Sequence, residues 1–120
     1  MRQDILIISD AAIDKAELVE LLKSCGYLAL STDSVIKVWE SGTDSNDEVE
    51  LECGSTDFYR YEDDELLAIK AIVNNPQLIY VSYRNKPLAE RIVSLIESKY
   101  VSVVDDDHGS LTFKGEKLVP

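Results

Sequence analysis

The sequence predicts a single α+β domain, because strand-type and helix-type hydrophobic patterns follow one another along 120 residues. Unbroken aliphatic runs and one strictly alternating run indicate strands, whereas apolar residues at three- and four-residue intervals indicate three helices. A chain of this length can bury one hydrophobic core without disulfides. We therefore expect one domain over residues 1–120 with the order β-α-β-β-β-α-β-α-β-β.

The first half of the chain contains four predicted strands and one helix. Residues 5–9 (ILIIS) are typical of a buried strand, and Gly26 is expected to end the helix that follows over about 12–25. Two more strands are predicted at 27–31 and 34–40. The fourth, at 48–53, alternates with Val49, Leu51 and Cys53 on one face and Glu48, Glu50 and Glu52 on the other.

The second half repeats this kind of pattern. After a short aromatic segment, Asp63 or Asp64 opens a helix that ends before Pro76. A strand (78–82), a helix starting at Pro87 and ending near 99, and a hairpin (100–104 and 110–113) follow.

An internal similarity relates the two halves. A shift of 73 residues places Ile5 on Leu78 and Tyr27 on Tyr100, and both segments have the pattern strand–helix–strand–strand. This ferredoxin-like internal similarity predicts a mixed or largely antiparallel sheet with helices packed on one side of it, or split β-α-β packing. The sequence leaves the strand pairing open.

The negative charge is concentrated in one segment. The net charge is −11, and the 26 residues from Glu40 to Glu65 hold eleven of the 23 acidic residues and only one of the 12 basic residues. Such a surplus repels phosphate backbones and anionic lipids, so we expect no direct binding of nucleic acid or membranes. It attracts basic protein surfaces.

Catalytic and metal-binding patterns do not emerge from the sequence. His108 is the only histidine, and it follows three aspartates in a segment (105–109) that suits a hairpin turn better than a metal site. Cys25 and Cys53 lie on apolar faces of predicted elements, so both are expected to be buried. We therefore predict a protein that is not an enzyme and has no cofactor or metal. The first residues run into an apolar stretch too short for a signal peptide, which predicts a cytoplasmic location.

Aromatic side chains lie inside the acidic segment. Tyrosines flanked by acids provide rigid anchors and carboxylates for pairing with Arg or Lys, and this combination is typical of protein interfaces. Phe58 is the aromatic residue expected to belong to the core. The predicted partner-binding residues are Glu48, Glu50, Glu52, Asp57, Tyr59, Tyr61, Glu62, Asp63 and Asp64.

By its size, its charge and the acidic–aromatic cluster at 57–65, the chain resembles the small acidic immunity proteins of bacterial toxin systems, of the contact-dependent growth inhibition or colicin type. The resemblance implies a cytoplasmic protein that binds a basic partner, a nuclease-type toxin domain, and blocks it without turnover. Such a protein is expected to be a monomer or a dimer.

Two other classes stay open at this stage. A small regulatory domain would bind a metabolite in a concave, mostly apolar pocket, and its binding would be insensitive to salt. A dimerisation domain would associate through an open edge of its sheet.

Overall fold

A computed structural model describes residues 3–10, 14–42, 47–55, 58, 61–105 and 111–118. Along these residues the elements are β1 (Gln3–Asp10), α1 (Lys15–Ser24), β2 (Leu28–Thr32), β3 (Val35–Trp39), β4 (Val49–Ser55), α2 (Asp63–Ile72), β5 (Pro76–Tyr83), α3 (Lys86–Lys99), β6 (Ser102–Asp105), β7 (Leu111–Phe113) and β8 (Glu116–Lys117). The predicted α+β class and the order of its ten elements are confirmed. The additional strand, β8, has only two residues and no hydrophobic pattern that would predict it.

The described strands form one sheet in the order β2-β3-β4-β5-β1-β6-β7-β8. Each pair of neighbours is antiparallel, so of the two predicted alternatives the largely antiparallel sheet is the one adopted. The strands that open the two similar segments, β1 and β5, lie side by side, with Ile7 opposite Ile79 and Ile5 opposite Val81.

Helices cover both faces of the sheet. Leu22 of α1 and Ile92 of α3 belong to one buried cluster, together with Ile7 of β1. Ile69 of α2 belongs to a second cluster with Ile8, the next residue of the same strand. The expectation that all helices share one side is therefore wrong. Double coverage explains why residues 5–8 are continuously apolar, since both faces of a central strand are then withdrawn from water.

The ends of α1 follow from local chemistry. Asp14 caps the helix, because its Oδ1 accepts a hydrogen bond from the backbone N–H of Glu17 at 2.8 Å. The predicted start at residue 12 falls on residues 11–13, which lie outside the described part of the chain. Gly26 adopts a φ of 92°, a left-handed conformation that glycine reaches without a steric penalty. The predicted stop at Gly26 is confirmed.

Candidate binding surface

The sheet surface opposite α1 and α3 has two halves. The cluster beneath α2 draws on β1, β5, β6 and β7, and none of the described residues of β2, β3 or β4 belongs to it. The side chains that β2–β4 direct to this side are half-buried or exposed, and we call this surface the open face. Its members are Leu28, Leu30, Thr32, Val35, Lys37, Trp39, Glu50 and Glu52.

The predicted alternation along β4 is confirmed. Val49 and Leu51 are fully buried against the helices α1 and α3. Glu52 is exposed and Glu50 is half-buried, and both project from the opposite surface because successive side chains of a strand alternate. Glu48 is half-buried and immediately precedes the strand. Two of the three predicted carboxylates therefore lie on the open face, with the third next to the end of the strand.

A further carboxylate extends this row across the sheet. Asp4 lies opposite Ser82, and Ser82 lies opposite Glu50 on its other side, so the three side chains share one face. Asp4 is exposed. Asp4 is not among the predicted contacts, although its alternation with the buried Ile5 signals an outward position.

The acids that begin α2 lie on the same side of the sheet. Glu62, Asp63 and Asp64 are exposed, and the neighbouring Tyr61 packs in the cluster beneath α2. The Tyr61 hydroxyl donates a hydrogen bond to Oδ2 of Asp105 at 2.7 Å. In the sheet register, one row runs through Glu52, Tyr80, Leu6 and Asp105. Three strand spacings, roughly 14 Å, therefore separate the backbone of Glu52 from that of Asp105, the residue that Tyr61 contacts next to the start of α2.

We call Asp4, Glu50, Glu52, Glu62, Asp63 and Asp64 the acidic face. It combines strand residues with the first turn of a helix, and it lies opposite α1 and α3. Lys37, across from Glu50 on β3, is a basic residue within the same row. This part of the surface therefore combines a negative surplus with the cation of Lys37.

Some of the acids also have internal roles. Glu65 accepts a hydrogen bond from the backbone N–H of Glu62 at 2.9 Å, and Asp64 accepts one from the N–H of Glu65 at 3.0 Å. These contacts stabilise the start of α2. Glu40 forms an ion pair with Arg91 of α3, which joins that helix to the end of β3. Helix capping and internal ion pairing thus account for part of the negative charge that is concentrated between Glu40 and Glu65.

The position predicted for Tyr61 is wrong. Only 8% of the residue is exposed, because its ring packs beneath α2, with the Phe58 ring 6.2 Å away between centroids. A ring in this position cannot serve as a solvent-exposed anchor. The expected core role of Phe58 agrees with its half-buried packing against the same cluster. Asp57 and Tyr59, the other predicted contacts in this segment, lie outside the described residues.

Apolar side chains of the open face were not predicted. Leu28 and Leu30 are 54% and 53% exposed, and Trp39 is half-buried opposite Leu28. A groove of about 480 Å³ at this end of β2 is lined by Lys23, Tyr27, Leu28, Ala29, Trp39, Glu40 and Gly42. The run Leu28–Thr32 is uniformly apolar or small, so its pattern gives no indication of which side chains reach solvent.

The described residues contain neither a metal-binding cluster nor a helix that could span a membrane. No group of three or more His, Cys, Asp and Glu side chains there is arranged to hold a metal ion. The predicted turn at 105–109 lies outside the described residues except for Asp105. None of the helices in the described ranges combines the length and the apolar character needed to cross a bilayer.

The two cysteines occupy different environments. Cys53 is half-buried against the first core, and burial raises the pKa of its thiol to about 11. Cys25 is exposed, which corrects the expectation that it is buried. Cys25 is the C-cap residue of α1, and it lies beyond Leu18 and Leu22, the buried residues of that helix.

We expect a thiol-specific alkylating reagent at mildly alkaline pH to modify Cys25 rapidly and Cys53 slowly. Alkylation requires the thiolate, and a raised pKa keeps Cys53 protonated until the pH approaches 11. Mass spectrometry of time points measures the two rates. The Cys25→Ser variant should lose the fast phase, whereas Cys53→Ser should retain it; equal rates at both sites in the folded protein would contradict the assignment.

Comparisons with known proteins do not assign a family. The sequence matches no protein-family model, no curated protein and no solved structure. The described surface therefore bears on its function: an antiparallel sheet with an acidic face on the side of α2 and the helices α1 and α3 on the other side.

Proposed function

We propose that this chain is a non-catalytic binding protein that neutralises a basic protein partner by docking it against the acidic face. The observation that carries the proposal is the placement of Glu50 and Glu52 on the same side of the sheet as the exposed acids at the start of α2. Residues far apart in sequence thereby contribute negative charge to one surface.

The chemistry of this surface suits a cationic cleft. A net charge of −11 speeds the approach of a basic protein, and carboxylates fixed on a sheet can pair with Arg or Lys side chains. Leu28, Leu30 and Trp39 border the carboxylates and provide the apolar area that a stable interface buries. In this proposal they serve as the apolar anchors of the interface, the role that was predicted for Tyr61.

We infer further that the partner is a nuclease-type toxin and that the chain acts as its immunity protein in the cytoplasm. A nuclease presents basic residues to the phosphates of its substrate, so an acidic surface can occupy the same cleft. The resemblance in size and charge to immunity proteins of the contact-dependent growth inhibition or colicin type supports this assignment. Inhibition would then be steric and electrostatic, and it would need no cofactor.

A capture experiment at two salt concentrations tests the proposal. The tagged chain is used as bait in extract of the producing cell, and retained proteins are identified by mass spectrometry. We expect a basic protein that is retained at low salt, is released at high salt, and has nuclease activity that one equivalent of the chain abolishes. Retention that is indifferent to salt, or the absence of any basic protein among those retained, would refute the proposal.

A further inference from the structure

The two edges of the described sheet differ in how they are protected. At one edge, β8 consists of only Glu116 and Lys117, both exposed. Short edge strands with charged side chains resist pairing with other chains. At the other edge, β2 is a five-residue strand that contains neither a charge nor a proline. An edge of this kind offers its unpaired backbone N–H and C=O groups as a template for another strand.

The side chains of β2 also favour association. Leu28 and Leu30 are more than half exposed and project from the same surface, next to Trp39 on β3. Pairing β2 with another strand would therefore bury apolar area as well as backbone polar groups. Both contributions act at one edge of the molecule.

We propose that β2 pairs antiparallel with β2 of a second copy of this chain, across a two-fold axis, so that two sheets become one. With Leu30 at the axis, Leu30 meets its own counterpart and Leu28 faces Thr32 of the other copy. An isologous interface requires such self-complementarity. Because β2 is uncharged, no like charges are placed directly opposite each other.

Charges at the ends of β2 favour this orientation. Lys23 is exposed and lines the groove at the Leu28 end of the strand, while Asp33 is exposed and directly follows its other end. Antiparallel pairing brings the Leu28 end of one copy to the Asp33 end of the other. Lys23 of each copy then lies near Asp33 of its counterpart, and this pairing occurs twice in the dimer.

The acidic face lies too far from β2 to favour the pairing of a basic strand at this edge. Glu50 lies on β4, two strands away from β2, or roughly 10 Å across the sheet. The neutral edge instead matches a strand that is itself neutral and alternates apolar side chains, and β2 of another copy has this composition. Self-association therefore depends on the backbone edge of β2, whereas capture of a basic partner depends on the carboxylates; the apolar side chains of Leu28, Leu30 and Trp39 border both.

The two proposals also respond to salt in opposite directions. Two copies that each carry a net charge of −11 repel each other, so screening should strengthen the dimer. Binding of a basic partner is weakened by the same screening. Failure of one proposal therefore leaves the other testable.

Sedimentation velocity of the full chain over a concentration series, at low and high salt, tests the dimer. We expect a monomer–dimer equilibrium that shifts toward dimer at high salt. Leu30→Lys should weaken dimerisation at least about tenfold, because it places a charge on the edge. The matched control is Leu67→Lys on α2, where the leucine is 72% exposed and away from the edge, and it should leave the equilibrium unchanged.

Circular dichroism confirms that each variant is folded, and Leu28→Lys serves as a second edge variant. Trp39, the only tryptophan, lies opposite Leu28 on β3, so its fluorescence should shift to shorter wavelength as dimer forms. A wild-type chain that stays monomeric at every concentration and salt would overturn the proposal. A dimer that both edge variants leave intact, or that Leu67→Lys weakens equally, would also overturn it.

Discussion

Replacing Tyr61 by alanine is expected to lower the free energy of unfolding by about 3–5 kcal/mol, the range for aromatic-to-alanine changes in a core. The ring is 8% exposed and packs in the cluster beneath α2 with Ile8 and Val103. Its removal leaves a cavity and removes the hydrogen bond to Asp105. Urea denaturation followed by circular dichroism measures the loss.

Two further variants separate the contributions of Tyr61. Tyr61→Phe keeps the ring and removes the hydroxyl, so it should cost about 1 kcal/mol, since the half-buried Asp105 carboxylate can regain a hydrogen bond from water. Leu67→Ala, at a site that is 72% exposed, should change stability by less than about 0.5 kcal/mol. A Tyr61→Ala protein with unchanged stability but impaired partner binding would instead support an interface role for this ring.

Reversing the charge of two carboxylates on the open face is expected to weaken binding of the basic partner by about 100-fold, or about 2.7 kcal/mol. The variant is Glu50→Lys/Glu52→Lys. Each reversal removes an attraction and introduces a repulsion against the cationic surface, so association should slow and dissociation should accelerate. Surface plasmon resonance with the captured partner measures both rates at low salt.

The matched control keeps the net charge of this variant and moves the change to the other side of the sheet. Glu20 on α1 and Glu90 on α3 are both exposed, and the Glu20→Lys/Glu90→Lys protein has the same total charge. It should bind with nearly wild-type affinity. Equal losses in the two proteins would mean that total charge alone matters and would contradict a defined acidic face.

Lys37 lies opposite Glu50, so a lysine at position 50 creates a like-charge pair on the sheet. Glu50→Gln/Glu52→Gln avoids this repulsion and should still weaken binding, by a smaller factor. Unfolding curves for both pairs of substitutions show whether stability has changed.

The contrast between Tyr61 and Glu52 shows why only part of the surface could be predicted. Glu52 alternates with buried residues in a single strand, and this local period reports its outward direction directly. Tyr61 lies among acids that precede a helix. Acids are favoured both at helix N-termini and at interfaces with basic proteins, so the same local pattern is compatible with a buried ring or an exposed one.

The edge strand β2 shows a second kind of ambiguity. Its residues are apolar or small on both sides, so the sequence predicts a strand without indicating which face is covered. The packing of α1 and α3 near Ala29 and the confinement of the α2 cluster to β1 and β5–β7 leave Leu28 and Leu30 exposed. Coverage of this kind depends on contacts between elements that are distant in sequence.

The α+β class, the order of the predicted elements, the end of α1 at Gly26 and the outward direction of Glu50 and Glu52 could all be predicted from the sequence. All of these depend on periodicity or turn chemistry within a few residues. Four other features became evident only from the fold: helices cover both faces of the sheet, Tyr61 is buried, Asp4 joins the acidic face and β2 is an edge strand. Those features depend on strand pairing and helix packing over long sequence separations, which no local pattern specifies.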